Sequence, residues 1–363
     1  MFLLVFLAVI IIGLSYTAWH IWCILPFGKL IKWAMISLFI LAFLLVFVIF
    51  TGTLDKLPLN IATIAYEIGN SMIFILLYLV MIFLILDVGR LIRIVPKSWL
   101  YQNGWTSLAI FLFLVAVFVY GNIHYYNKAR QPLDLQTEKS LNKDLRIVMM
   151  SDLHIGYHNR RAELAKWIDK INAEEPDLIL IAGDIIDIST RPLLEENMAE
   201  EFLRLNAPVF ACLGNHEYYS GEPKAQQFYK DAGITLLRDT SVVFKDNIVI
   251  VGRDDRTNPH RRNLQTIIKD VDKTKYTILL DHQPYHLEQA EKAGIDFQFS
   301  GHTHHGQVWP ISWITEHLYE VAFGAYRKGN TQYYITSGIG IWGGKFRIGT
   351  RSEYVVATLH NQR

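Results

Sequence analysis

Cysteine is almost missing from this chain, and so is any surplus of charge of one sign. Only two cysteines occur in 363 residues. Cys23 lies in an apolar run and Cys212 in an expected strand, settings that argue against a disulfide framework. Lys and Arg number 35 against 34 Asp and Glu, a formal net charge of +1. The chain therefore lacks the electrostatic footprint of a nucleic-acid binder, and no nucleic acid is expected as a partner. Internal repeats and low-complexity tracts are absent as well. Charged residues are scarce at 19%, while hydrophobic ones reach 51%, and the imbalance is concentrated before Lys128.

That front section predicts a transmembrane region over residues 1–126. Four apolar stretches, 2–25, 33–52, 68–88 and 105–123, are each long enough to cross a hydrocarbon core, which takes roughly 20 helical residues. Trp19, Trp22, Trp33, Trp99 and Trp105 fall near their ends, where indole rings favour the headgroup boundary. A cleavable signal peptide fits the first stretch less well, because a basic start is missing and further spans follow. The lipid bilayer is thus the first expected partner, and a multi-pass protein of the cell membrane the expected location. Lys29 and Lys32 in the first loop, with Arg90, Arg93 and Lys97 in the third, put those loops inside and the C-terminal domain outside the cytoplasm. Lys128 and Arg130 after the last span count against that orientation. Asp87 is expected to pair with Arg90 at an interface rather than to serve a transport path, and the spans lack the inward polar chemistry of a transporter.

A linker is expected at 127–145, followed by a domain at 146–363. Short apolar runs alternate there with helix-like segments. RIVMM precedes an expected helix from Arg161 to Ala173; LILIA, VFACL, NIVIVG, YTILL, FQFS, YYITSG and YVVATLH follow. This rhythm predicts a layered α/β fold.

Chemistry gathers where those runs stop. Asp152 and His154 follow the first, Gly183 and Asp184 the second, Gly214, Asn215, His216 and Glu217 the third; then come Asp281 with His282, and Gly301, His302, Thr303, His304 and His305. The two-residue spacing of Asp152 and His154 predicts side chains turned to one side of extended chain. Any one of these residues alone is more often structural than functional. Five segments carrying Asp, His or Asn past apolar runs match the place where α/β sheets hold ligands. Oxygen and imidazole donors without thiolate favour Mn, with Fe or Zn as alternatives, in a reactive site. Asp152, His154, Asp184, Asn215, His282, His302 and His304 are too many ligands for one ion. With Asp184 as a bridge, they serve two divalent metal ions roughly 3.5 to 4 Å apart, an arrangement that activates water and neutralises charge in displacement at phosphorus.

At these residues the chain resembles the calcineurin-like metallophosphoesterase superfamily, whose pattern runs Asp-x-His, Gly-Asp-x-x-Asp, Gly-Asn-His-Asp/Glu, a lone His and Gly-His-x-His. All blocks occur in order, across roughly 146–360. The Gly-His-Thr-His segment is most similar to a bacterial membrane-associated branch that includes enzymes related to UDP-2,3-diacylglucosamine hydrolases. The resemblance implies a four-layer sandwich, two central mixed sheets flanked by helices. It implies one ion on Asp152, His154, Asp184 and His304, and the other on Asp184, Asn215, His282 and His302. His216 would stand over the phosphate as the catalytic residue, and Asp187 would orient a ligand from behind. His305 departs from the expected Gly-Gly pair; a loop substitution with strained backbone is favoured over a third ligand.

The implied activity is metal-dependent hydrolysis of a phosphomonoester, phosphodiester or pyrophosphate. The membrane tether suggests a lipid-linked substrate. A non-catalytic sensor that keeps a metal site is the competing expectation, disfavoured by the complete residue set. Arg347 is read as a phosphate contact or a surface residue, and Arg253 to Arg262 as a solvated loop before a grip for an anionic headgroup. Trp309, Trp313, Ile314 and Trp342 are read as an apolar lip or as core.

Overall fold

The computed structural model describes residues 2–361, so the last two positions of the expected domain lie outside the described residues. The chain divides into two units: Met1–Ile123 with Gly343–Phe346, and His124–Trp342 with the chain from Arg347 onward.

Four helices dominate the first unit: α1 (Phe2–Ile24), α2 (Lys29–Ile49), α3 (Leu59–Leu91) and α4 (Gly104–Tyr126). All four are long and apolar enough to cross a membrane. Leu41, Ile85 and Phe111 are exposed on them, apolar surface of the kind that lipid covers. α3 and α4 overrun the expected stretches at both ends, and α2 starts early at Lys29 but stops at Ile49, because a helical backbone bonds to itself and can continue into polar residues. Lys29 and Lys32 thus belong to the first turns of α2, where Lys32 Nζ donates to the Trp22 carbonyl at 2.7 Å. The expected pairing of Asp87 with Arg90 is corrected. Asp87 accepts from Tyr16 Oη at 2.7 Å and lies 3.1 Å from His20 Nε2, both on α1.

Among the described residues, twelve strands build the second unit: β1 (Lys128–Thr137), β2 (Leu145–Met150), β3 (Leu178–Ala182), β4 (Val209–Cys212), β5 (Thr235–Leu236), β6 (Thr240–Phe244), β7 (Ile248–Gly252), β8 (Tyr276–Leu280), β9 (Phe297–Ser300), β10 (Gly324–Lys328), β11 (Thr331–Ile335) and β12 (Ser352–Asn361). They form two six-stranded mixed sheets, ordered β1-β12-β2-β3-β4-β5 and β10-β11-β9-β8-β7-β6. The stretch expected as a linker is therefore mostly strand: β1 pairs in parallel with β12 over its whole length.

Period-two alternation decides the layering. Ile147, Met149, Leu178 and Leu180 join Ile250, Ile278, Leu280 and Phe299 in a core between the sheets. Their neighbours Val148, Met150, Ile179 and Ile181 face the other way, onto Leu164, Trp167, Ile168 and Ile171 of the helix Arg161–Asn172. Those four recur at the helical spacing that makes one apolar stripe. On the second sheet Val249, Val251 and Leu279 pack on Leu264, Ile267, Ala290 and Ala293. Helix, sheet, sheet, helix is the expected four-layer sandwich. Each large apolar side chain buried here contributes roughly 1.5–3 kcal/mol.

Register then positions the loops. Met150 pairs with Ile181, Ala182 with Cys212, and Leu280 with Phe299. Parallel neighbours roughly 4.8 Å apart thus end together, and the residues that follow them emerge side by side.

Candidate metal centre

Five loops at the carboxyl ends of β2, β3, β4, β8 and β9 bring all the expected residues together. His154 Nε2 lies 3.1 Å from His304 Nε2, 3.6 Å from Asp184 Oδ2 and 3.8 Å from Asp152 Oδ1. His304 Nε2 is 3.4 Å from Asp152 Oδ1, and His282 Nε2 is 3.1 Å from Asp184 Oδ2. Two groups able to hold a cation share Asp184: His154 and His216 join it in one, His282 and His302 in the other. A third consists of Asp152, His154 and His304. Asn215 lies at the start of the helix Asn215–Tyr219 with Oδ1 buried and without a hydrogen-bond partner.

The convergence has a different backbone cause from the expected extended chain. Asp152, His154, Asp184, His302, His304 and His305 all have positive φ, between 44° and 70°. Left-handed conformations of this kind cost non-glycine residues energy and persist where the surroundings enforce them. Main-chain bonds do so here: Asp152 N donates to Gly183 O at 3.1 Å and His154 N to Asp184 O at 3.0 Å. Gly183, at φ +78°, is needed for close approach, since a Cβ there would lie 2.6 Å from Gly214 N. A Cβ on Gly214 would in turn meet Asp184 N at 2.6 Å.

Hydrogen bonding reveals what the pocket is shaped for. His282 Nδ1 lies 2.6 Å from the Ala182 carbonyl; a carbonyl only accepts, so Nδ1 carries the proton. Nε2 is then aimed at Asp184 Oδ2, 3.1 Å away and outside hydrogen-bond geometry. A ring nitrogen and a carboxylate oxygen that close hold a cation between them, a proton or a metal ion; burial lowers the His282 ring, but Asp184 outweighs it and raises the ring well above its ordinary value. The buried Asp187 Oδ1 lies 3.3 Å from both His154 Nδ1 and His216 Nδ1.

The electrostatics agree. Burial raises the Asp152 and Asp184 carboxyls, yet the surrounding imidazoles pull both below the usual carboxylate range. Burial lowers His154, but Asp152, Asp187 and Asp184 outweigh it and push the ring up to about 10. His302 is brought down to about 4 by burial and by the charge of His282. Buried carboxylates facing several imidazoles demand compensating positive charge. Oxygen and nitrogen donors with open positions fit two divalent ions of the borderline class.

Comparison with known proteins agrees with this geometry. The profile of the calcineurin-like phosphoesterase family matches residues 145–306. A metallophosphoesterase of Campylobacter jejuni is 31% identical over 264 residues, 69% of this chain and 69% of that one. The chain belongs to the calcineurin-like metallophosphoesterase family. An Aquifex aeolicus metallophosphoesterase is likewise 31% identical, across 66% of this chain and 95% of its own length. A Danio rerio transmembrane protein with a metallophosphoesterase domain is 30% identical, across 68% of this chain and 61% of that protein. Members of the family use a dinuclear divalent metal site, and this metallophosphoesterase is a metal-dependent phosphohydrolase.

Two residues named in the sequence shape the metallophosphoesterase pocket in ways that it did not predict. Glu217 is fully buried and accepts from the backbone N–H groups of Asp184, Ile185, Ile186 and Gly214, at 2.7 to 3.0 Å. It clamps the loop after β3 to the loop after β4. Its signal was an acid three residues past a helix start, obscured because Gly214 replaces the usual Ser or Thr. Arg347 contradicts both expectations for it. The side chain is fully buried and donates to the carbonyls of His304 at 2.7 Å and Gly340 at 3.1 Å, bracing the loop that carries His304. Burial takes its guanidinium down to about 10.

His305 behaves as a loop substitution. It has φ 48° and ψ 37°, stacks on Phe323 at 4.6 Å and lies 3.0 Å from Glu316. It joins none of the cation-holding groups among the described residues. Trp313 and Ile314 are exposed on the helix Ile311–Leu318 and are not core.

Proposed function

We propose that this metallophosphoesterase cleaves a phosphate ester or pyrophosphate of a lipid-linked substrate, at a centre formed by Asp152, His154, Asp184, Asn215, His282, His302 and His304. The approach of His282 Nε2 to Asp184 Oδ2, at 3.1 Å, carries the reading. Asp184, reachable from both sides of the pocket, is the shared ligand. Two divalent ions, manganese first, supply water activation and charge neutralisation at phosphorus when bound. His216 has Nδ1 directed at the Asp187 carboxylate and carbonyl, at 3.3 and 3.2 Å, which leaves Nε2 to protonate the leaving oxygen. Asp187 holds that ring and His154 in place. The apolar helix face bearing Trp313 and Ile314, together with four helices able to enter a bilayer, supports a lipid-linked substrate.

Chelator-treated protein is expected to lose turnover of p-nitrophenyl phosphate and of its bis-ester, and manganese to restore it with about two ions per chain by elemental analysis. Turnover that survives complete chelation would refute the reading, and no turnover in any metal would leave only a metal-binding sensor.

The basic residues Lys29, Lys32, Arg90, Arg93 and Lys97 support a C-terminal domain outside the cytoplasm. An alkaline phosphatase fused after the C-terminus should then be active in cells, whereas a fluorescent protein fused there should stay dark on export through the general secretory route. The reverse pair of results places the domain inside.

A further inference from the structure

Two cavities of the second unit share Arg256 and Tyr285. One, about 530 Å³, reaches Asn215 and His302 of the candidate centre. The other, about 370 Å³, is lined by Arg253, Arg256, Arg261 and Arg262. The segment expected as a solvated loop thus forms a pocket rich in guanidinium groups next to the site.

Its charges are not balanced from within. Arg253 Nη1 and Arg261 Nη2 share one oxygen of Asp281, at 3.0 and 2.6 Å. Arg262 donates from Nη1 to the Asp239 carbonyl at 3.2 Å, and the Arg256 guanidinium rests over the Tyr285 ring at 4.1 Å. One carboxylate therefore answers two of the four arginines through ion pairs. Arg253 is only 7% exposed, yet its Nε has no hydrogen-bond partner, and Arg261 Nη1 is buried and unpartnered as well. Four guanidinium groups lining one cavity suit an anion that accepts from several donors at once, and a phosphoryl group has the oxygen geometry for it.

We propose that this arginine pocket is a second anion subsite, holding a phosphoryl group of the substrate other than the one at the metal centre. The inference rests on the phosphoesterase reading and deepens it: preferred substrates carry two phosphoryl groups, with Arg256 and Tyr285 at the junction between the two cavities. A lipid diphosphate and a soluble nucleoside diphosphate present the same chemistry, so the experiment separates them.

The test uses full-length, detergent-solubilised, manganese-loaded protein hydrolysing p-nitrophenyl phosphate. Inhibition constants are measured for ADP against AMP, and for farnesyl diphosphate against farnesyl monophosphate. Wild type should bind the two-phosphate member of at least one pair about tenfold more tightly, the gain expected for charge-assisted hydrogen bonds. That gap should close in Arg256→Gln and in Arg262→Gln, both at exposed side chains. A gap confined to the farnesyl pair assigns a lipid source, and one confined to the nucleotides a soluble source. No gap in either pair, or a gap that both variants retain, overturns the subsite. Absence of p-nitrophenyl phosphate turnover in wild type would instead overturn the phosphoesterase reading beneath it.

Discussion

Asp184→Asn should lower kcat/KM for p-nitrophenyl phosphate by roughly 10²- to 10⁴-fold while leaving the protein folded. Asn matches Asp in size and keeps an oxygen for the His216 backbone N–H, which donates to Asp184 Oδ1 at 2.9 Å. What it removes is the negative charge facing His282 and His154. Weaker holding of the ions forfeits part of the several kcal/mol of transition-state charge stabilisation that they supply, and each 1.36 kcal/mol of it is tenfold in rate. Elemental analysis should show fewer ions per chain, with circular dichroism unchanged. Wild-type activity and full metal content in this variant would sink the assignment of Asp184 as shared ligand.

His216→Ala carries the second large effect, and its pattern matters more than its size. A positioned general acid contributes about 10²- to 10⁴-fold. p-Nitrophenolate leaves readily without a proton, whereas an alkyl oxygen does not. The substitution should therefore reduce kcat moderately for p-nitrophenyl phosphate and far more for an alkyl phosphate such as glycerol phosphate, with metal content held. His216 also lies within the Asp184 and His154 group able to hold a cation. A parallel fall in metal content, with equal losses on both substrates, would make it a ligand and reject the acid role.

Strand by strand, the sequence reading divides along a physical line. The eight apolar runs it picked out are β2, β3, β4, β7, β8, β9, β11 and β12, all with neighbours on both sides. The four it passed over, β1, β5, β6 and β10, are the edges of the two sheets. Strands covered on both faces read as continuous apolar runs; β3, β7 and β8 are buried at every position. Edge strands alternate or stay polar, as β10 does with GAYRK, and such polarity guards a free edge. Local hydrophobicity therefore could not separate β1 from a linker.

The site divides in the same way. Asp, His and Asn at the ends of apolar runs were legible because their chemical type and their place after a strand are local facts. Sequence alone thus determined the membrane-length helices, the inner strands and which side chains meet. Tertiary structure decided the rest: left-handed backbone at Asp152, His154 and Asp184, the clamp of Glu217, the buried brace of Arg347 and the pocket made by Arg253 to Arg262. Each depends on what a residue far along the chain places beside it, since the energy of a buried charge is set by its surroundings and not by its neighbours in sequence.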